Sequence, residues 1–195
     1  MGQAVRGDFG NSFLTGEPAM RLILERMPAT VELACVAMLL SVLIGVPLGI
    51  LAGLKPKAVG SRAIMTGSVL GFSLPNFWVG LMLIMIFAVM LGWVPAGGRG
   101  QTVNIGSLQL SVLTLNGWLS LALPAATIAF AKCAMIIRVT RAATREALPM
   151  DYIKFARAKG LSEKRVLGVH LLKNILIPVV TVAGLEFGQV MAFAV

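Results

Sequence analysis

Two ionisable residues, Lys132 and Glu186, stand inside long apolar stretches of the chain. A charge at the centre of a bilayer costs roughly 2.5 kcal/mol or more, so a charge kept there is a candidate for ion pairing or for contact with a transported solute. Lys132 lies six residues before Arg138, near enough to a polar boundary for its stem to snorkel outward. Glu186 lies 11 residues beyond Ile175, too deep for that. It reads as an inter-helix polar contact or as a group that meets a substrate ammonium or a partner cation. The other reactive types form no constellation. His170 is the one histidine and has no second ligand near it in sequence, so it is expected to bind no metal. Cys35 and Cys133 sit in apolar runs and behave as small hydrophobes. No G-x4-G-K-[ST] phosphate cradle exists, and no nucleophile has a base beside it. The chain is expected to be no enzyme and to hold no cofactor.

The elements that position these groups are membrane spans. The 195 residues are 57% hydrophobic and 13% charged, with a mean hydropathy of +0.88. Such a composition excludes a soluble domain and predicts an all-α fold, a polytopic transmembrane helical bundle. The net charge of +9 is confined to particular loops, so it reports topology rather than nucleic-acid binding. Residues 33–54 are 22 positions without a charge, about 33 Å as a helix. Lys55, Lys57 and Arg62 then mark a cytoplasmic end, and Glu32 is expected in the first turn at the other end, where a carboxylate suits the helix dipole.

Residues 63–98 are uncharged and bracket a second span, with Pro75-Asn76 inside it and Trp93 at the outer interface. A single kinked or tilted span is the plain expectation. The alternative is that the break at Pro75 and Asn76 frees backbone groups that line a substrate path. A third span, residues 118–137, is expected to continue as helix through Arg138, Arg141 and Arg145 until Pro149 stops it. A fourth begins at Ile175. Gly45 and Gly49 have a spacing that permits close helix approach, a common and weak signal. Residues 94–117, with Gly97, Gly98, Arg99 and Gly100, read as an outer loop holding either a short strand or a re-entrant helix. Residues 1–30 are polar, with turns at 7–10 and 16–18, and read as an outer-face segment before the transmembrane unit of residues 31–195.

Between the third and fourth spans, residues 138–173 carry nine Lys or Arg against Glu146, Asp151 and Glu163. That excess predicts a cytoplasmic loop, about 141–174. Its first part, residues 151–159, reads as a short helix with Tyr152, Phe155 and Ala156 on one side and Lys154 and Arg157 turned away. Gly160 suits the left-handed residue that ends it, and Ser162 is a fair N-cap for a second helix with a stripe of Val166, Leu167 and Leu171.

The order Ala156-Arg157-Ala158-Lys159-Gly160-Leu161, followed by His170, Asn174 and Pro178, resembles the cytoplasmic loop of bacterial ABC-transporter permeases of the dipeptide/oligopeptide/nickel class. The general loop runs E-A-A, three residues, Gly, nine residues, I-x-L-P. Gly160 matches its Gly and Ala156 its second Ala. Lys154 stands where the general loop has Glu, and Lys173 where it has Pro, as in the peptide subclass. The resemblance implies a multi-pass inner-membrane subunit of six spans, four of them visible here, with spans expected before residue 1 and after residue 195. It implies that Asp151, Tyr152, Phe155, Ala156, Arg157, Ala158, Lys159, Gly160 and Leu161 dock on an ATPase subunit, and that Pro75, Asn76 and Glu186 belong to a translocation path. The implied partners are a second permease subunit forming a heterodimer, two ATPase subunits that use the ATP, and an extracytoplasmic binding protein. The implied cargo is a di- or oligopeptide, with nickel or another oligopeptide-like solute as the alternative. Two rival readings remain: a secondary transporter, which would rest on Lys132 and Glu186 as a relay, and a membrane anchor or non-functional fragment.

Overall fold

The computed structural model describes residues 10, 16–105 and 108–194. Apart from Gly10, the turn expected at 7–10 lies outside them. The chain runs through α1 (Ala19–Leu54), α2 (Val59–Ser73), α3 (Asn76–Leu83) with a π-helical extension (Ile84–Met90), β1 (Val103–Ile105), β2 (Leu108–Leu110), α4 (Leu115–Ala147), α5 (Asp151–Ala158), and α6 (Glu163–Arg165), which passes through π-helical Val166–Leu171 into α7 (Leu172–Ala194). Three of these helical stretches are long and apolar enough to cross a membrane, and the α2–α3 pair adds a fourth if taken as one broken span.

The bundle is built around α1 and α4. Every fourth residue of α1 from Ala37 is small and buried: Ala37, Ser41, Gly45, Gly49 and Gly53. This stripe lies on α4, with Gly45 over Ile136, Gly49 over Thr140 and Gly53 over Thr144. A methyl at Gly49 would stand 2.5 Å from Thr140 Cβ and 2.9 Å from the Ile137 carbonyl oxygen, so only glycine allows the backbones so close. In an apolar solvent such close approach replaces the missing hydrophobic drive with dispersion contact. Ser41 Oγ adds bonds to the Ala37 carbonyl at 2.8 Å and, across the seam, to the Ala129 carbonyl at 3.3 Å. Contacts advance together along both chains, so α1 and α4 are parallel. Lys55, Lys57, Arg138, Arg141 and Arg145 therefore gather at one end of the bundle.

α7 packs antiparallel to α4. Ile175 lies in a cluster with Ala147, Val179 meets Ile136 and Val46, and Glu186 reaches Lys132. α4 runs the full length expected of it, from a Thr114 cap whose Oγ1 accepts from Gly117 N at 3.0 Å to Ala147 just before Pro149.

Two expectations change and one open choice is decided. The first span begins at Ala19, not Leu33. The charges at Arg21 and Glu25 are accommodated as a pair one turn apart at 2.9 Å. Glu32 is consequently 14 residues into α1 and buried rather than in a first turn. Its Oε1 accepts from Val112 N at 2.5 Å, and its Oε2 lies 3.8 Å from Arg99 Nη2. The residues placed in a strand or a re-entrant helix form a strand pair, Val103 opposite Leu110, which Arg99 secures through the Gln109 carbonyl at 2.5 Å. Finally, residues 59–90 are broken rather than gently kinked, as one broken span or a re-entrant pair. Pro75 has no N–H to continue α2, and α2 and α3 meet at 101°.

Glu32 thus ties the hairpin to α1. Glu32→Ala is expected to leave the Val112 amide without its acceptor, a loss of roughly 1–3 kcal/mol for a buried donor. Hydrogen exchange at Val112 should rise by about tenfold or more, while exchange along α4 stays unchanged.

Candidate functional site

Two arrangements in this scaffold can act on something outside it. The first is the helical hairpin at the basic end. α5 opens after Pro149, with Asp151 in its first turn where the dipole favours a carboxylate, and Lys154 Nζ lies 3.0 Å from Asp151 Oδ1. It ends on Gly160, whose φ is +74°. The Leu161 N–H donates to the Ala156 carbonyl at 3.3 Å and the Gly160 N–H to the Arg157 carbonyl at 2.9 Å, the paired bonds of a Schellman turn. Arg157 Nε then reaches over the turn to Glu163 Oε1 at 2.9 Å. Ser162 precedes α6 but makes no side-chain cap bond.

Ile153 and Ala156 point inward and join Ala147, Val166, Leu171 and Ile175 in one buried cluster, with Leu161 and Leu167 against it. Burying an isoleucine such as Ile153 fully contributes about 1.5–3 kcal/mol, so α5 is fixed to the base of α7. The side facing away carries Tyr152, 37% exposed, and Phe155, 61% exposed, with Lys159 Nζ 4.5 Å from the Phe155 ring centroid. Two aromatic side chains on a rigid helix are the kind of anchor that a groove on a partner accepts. The expected face of Tyr152, Phe155 and Ala156 is corrected in one member: Ala156 is 3% exposed and belongs to the inner side with Ile153. Asp151, Arg157, Ala158, Lys159 and Gly160 are exposed and Leu161 is half-buried.

The second arrangement is a cavity of about 560 Å³ where the α2–α3 break meets α4 and α7. It brings together Pro75, Asn76 and Glu186, the three residues singled out for a path, and adds Lys132, Arg138 and Gln189. Lys132 does not snorkel. Its Nζ lies 2.5 Å from Glu186 Oε2 and 3.3 Å from Gln189 Oε1, because an opposite charge across the helix pair satisfies it better than stretching to an interface. The pair remains partly open, with side chains 21% and 16% exposed. Arg138 turns its guanidinium over the Phe72 ring, 4.7 Å from the centroid. Lys132 as a partner for Glu186 was hidden in the sequence by a separation of 54 positions. The only local sign was that Glu186 and Gln189 are one turn apart on α7. Among the described residues no group of three metal-ligating side chains exists.

A bundle of apolar helices with an amphipathic hairpin at its basic end and a charged cavity beside the α2–α3 break has the make-up of a multi-pass membrane protein. Residues 45–195 match the family described as binding-protein-dependent transport system inner membrane component, and the chain belongs to that family. It is 40% identical over 207 residues to a di/tripeptide transport system permease protein of Pseudomonas aeruginosa, covering 100% of this chain and 62% of that protein. It is 39% identical over 207 residues to a dipeptide transport system permease protein of Haemophilus influenzae, with the same two coverages. An oligopeptide transport system permease protein of Bacillus subtilis is 40% identical over 186 residues, 95% of this chain and 57% of that one. The chain thus spans about three fifths of the length of the curated relatives it matches.

Proposed function

We propose that the chain is the translocating subunit of an ATP-driven importer for di- and oligopeptides. The observation that carries this reading is the hairpin: an exposed Tyr152 and Phe155 on a helix whose other side is buried against the root of α7. An ATPase subunit seated on residues 151–161 would be moving α7 as well as α5. α6, the π-helical turn and α7 form one continuous helical stretch from Glu163 to Ala194, with Pro178 inside it. About 35 Å of helix separate Glu163 from Glu186, so the hairpin and the cavity lie on one helical stretch.

In this reading the hairpin end is cytoplasmic, in line with the positive-inside rule, and the strand pair and the start of α1 face outward, towards a substrate-binding protein. A second permease subunit would complete the pathway, and two ATPase subunits would hydrolyse the ATP. Peptide as cargo follows the relatives, whose names are those of peptide permeases. The path would pass Pro75, Asn76 and Glu186, where the break between α2 and α3 borders the cavity.

Cysteine cross-linking tests the docking. With a cysteine at position 158 in the full-length permease, a disulfide to the ATPase subunit should form in the assembled importer and change in yield when ATP is bound. Absence of any cross-link from 158, alongside efficient cross-linking from the hairpin end of β2, would place the motor on the other side and refute the proposal.

A further inference from the structure

We infer that the Lys132–Glu186 pair reads the two charged ends of the transported peptide, Glu186 receiving the α-ammonium and Lys132 the carboxylate, each charge exchanging its present partner for one on the substrate. This rests on the peptide reading above and specifies how the cargo is recognised within it.

The first ground is that the pair is not needed to hold α4 on α7. Ile136 against Val179 and Ala147 against Ile175 already join these helices by apolar contact, and α1 is joined to α4 by small residues and one hydroxyl bond. Charged pairs taken from water often add nothing over apolar packing of the same volume. The second ground is position. Both side chains stay partly exposed and line one cavity with Asn76 and Gln189, and its size of about 560 Å³ falls in the range of sites that enclose small ligands.

The third ground is charge balance. A peptide with free termini carries one ammonium and one carboxylate, so partner exchange leaves no charge uncompensated at any stage. Gln189, with its Oε1 3.3 Å from Lys132 Nζ, can hold the lysine while Glu186 turns to the incoming ammonium. Recognition would involve only groups common to all peptides and leave side chains unread. Discrimination of this kind is strong, because a buried polar group left without its partner is costly.

The test uses the complete importer in nanodiscs, with a photoreactive residue in place of Met135, which also lines the cavity. Radiolabelled dialanine is offered beside its N-acetyl, C-amide and doubly blocked forms. With the pair unaltered, capture of each singly blocked peptide should fall about tenfold against dialanine, and capture of the doubly blocked form further. Glu186→Gln should abolish the preference for a free amino end while keeping that for a free carboxylate, and Lys132→Met should do the reverse. Equal capture of dialanine and its doubly blocked form by the unaltered pair overturns the inference and needs no variant to fold. So does a Lys132→Met/Glu186→Leu double variant that captures dialanine like the unaltered chain. If the unaltered importer neither takes up dialanine nor hydrolyses ATP in response to peptide-loaded binding protein, the peptide reading itself falls.

Discussion

Gly49→Leu is expected to prevent α1 from closing on α4, and with it the assembly of the whole subunit. A single methyl there meets Thr140 Cβ at 2.5 Å and the Ile137 backbone oxygen at 2.9 Å. Neither obstacle is the free end of a flexible side chain. The helices must separate, and the neighbouring contacts at Gly45 and Gly53 separate with them. Overpacking typically costs about 1–3 kcal/mol and occasionally more where the surroundings cannot relax. At the upper end the folded-to-unfolded ratio falls by over a hundredfold, at tenfold per 1.4 kcal/mol. Gly67→Ala in α2, where an added methyl meets nothing within 4 Å, is the matched control. The yield of protease-resistant subunit after detergent extraction should collapse for the first and stay unchanged for the second. Thr140→Gly should partly restore Gly49→Ala, since it removes Cβ and Cγ2 but leaves the Ile137 carbonyl. Equal yields for Gly49→Leu and Gly67→Ala would show that this seam does not hold the bundle.

That seam also shows what the sequence conceals. Gly45 and Gly49 are visible as a spacing, but Ala37, Ser41 and Gly53 extend it only when the partner helix is known, because α1 is apolar on all sides and has no polar face to orient it. The start of α1 was hidden for a related reason: Arg21, Glu25 and Arg26 interrupt hydropathy without interrupting the helix. A carboxylate next to the first uncharged run then looks like a helix start, although Glu32 accepts from the Val112 amide 80 residues away, just past the strand pair. By contrast, the end of α4 was legible from the Arg138, Arg141 and Arg145 stripe and Pro149, and the turn at Gly160 from local chemistry alone. Short-range rules govern both. In the hairpin the aromatic spacing of Tyr152 and Phe155 was legible, but which side of α5 faces the bundle was settled by Ile153, a residue that no local pattern distinguishes from Phe155. The cavity was half legible, since Pro75, Asn76 and Glu186 each break an apolar run while Lys132 lies near enough to Arg138 to pass for an interfacial lysine.

Gly160→Arg is expected to abolish substrate-stimulated ATP hydrolysis while the chain still inserts in the membrane. The position is open, with nothing within 4 Å of an added Cβ, so no clash stands in the way of folding. The effect comes from φ, which at +74° costs a non-glycine residue roughly 1–2 kcal/mol. Relief of that strain would unwind the turn, break the Leu161 to Ala156 and Gly160 to Arg157 bonds and part Arg157 from Glu163. α5 would then no longer be rigidly fixed to α7, and a motor seated on it would move a loose segment. Phe155→Ala separates attachment from transmission. It leaves Ile153, Ala156 and the turn in place and removes only an exposed ring, so it should weaken association with the ATPase subunit. Central anchors of this kind commonly cost about 2 kcal/mol or more when truncated, some thirtyfold in affinity. The two variants therefore predict opposite patterns. Phe155→Ala should lose hydrolysis and recover it at high ATPase concentration, whereas Gly160→Arg should retain at least part of its binding and stay uncoupled at any concentration. Recovery of stimulated hydrolysis in Gly160→Arg by mass action would mean that the turn serves only to present the docking face, and that the force reaches the cavity by another route than α7.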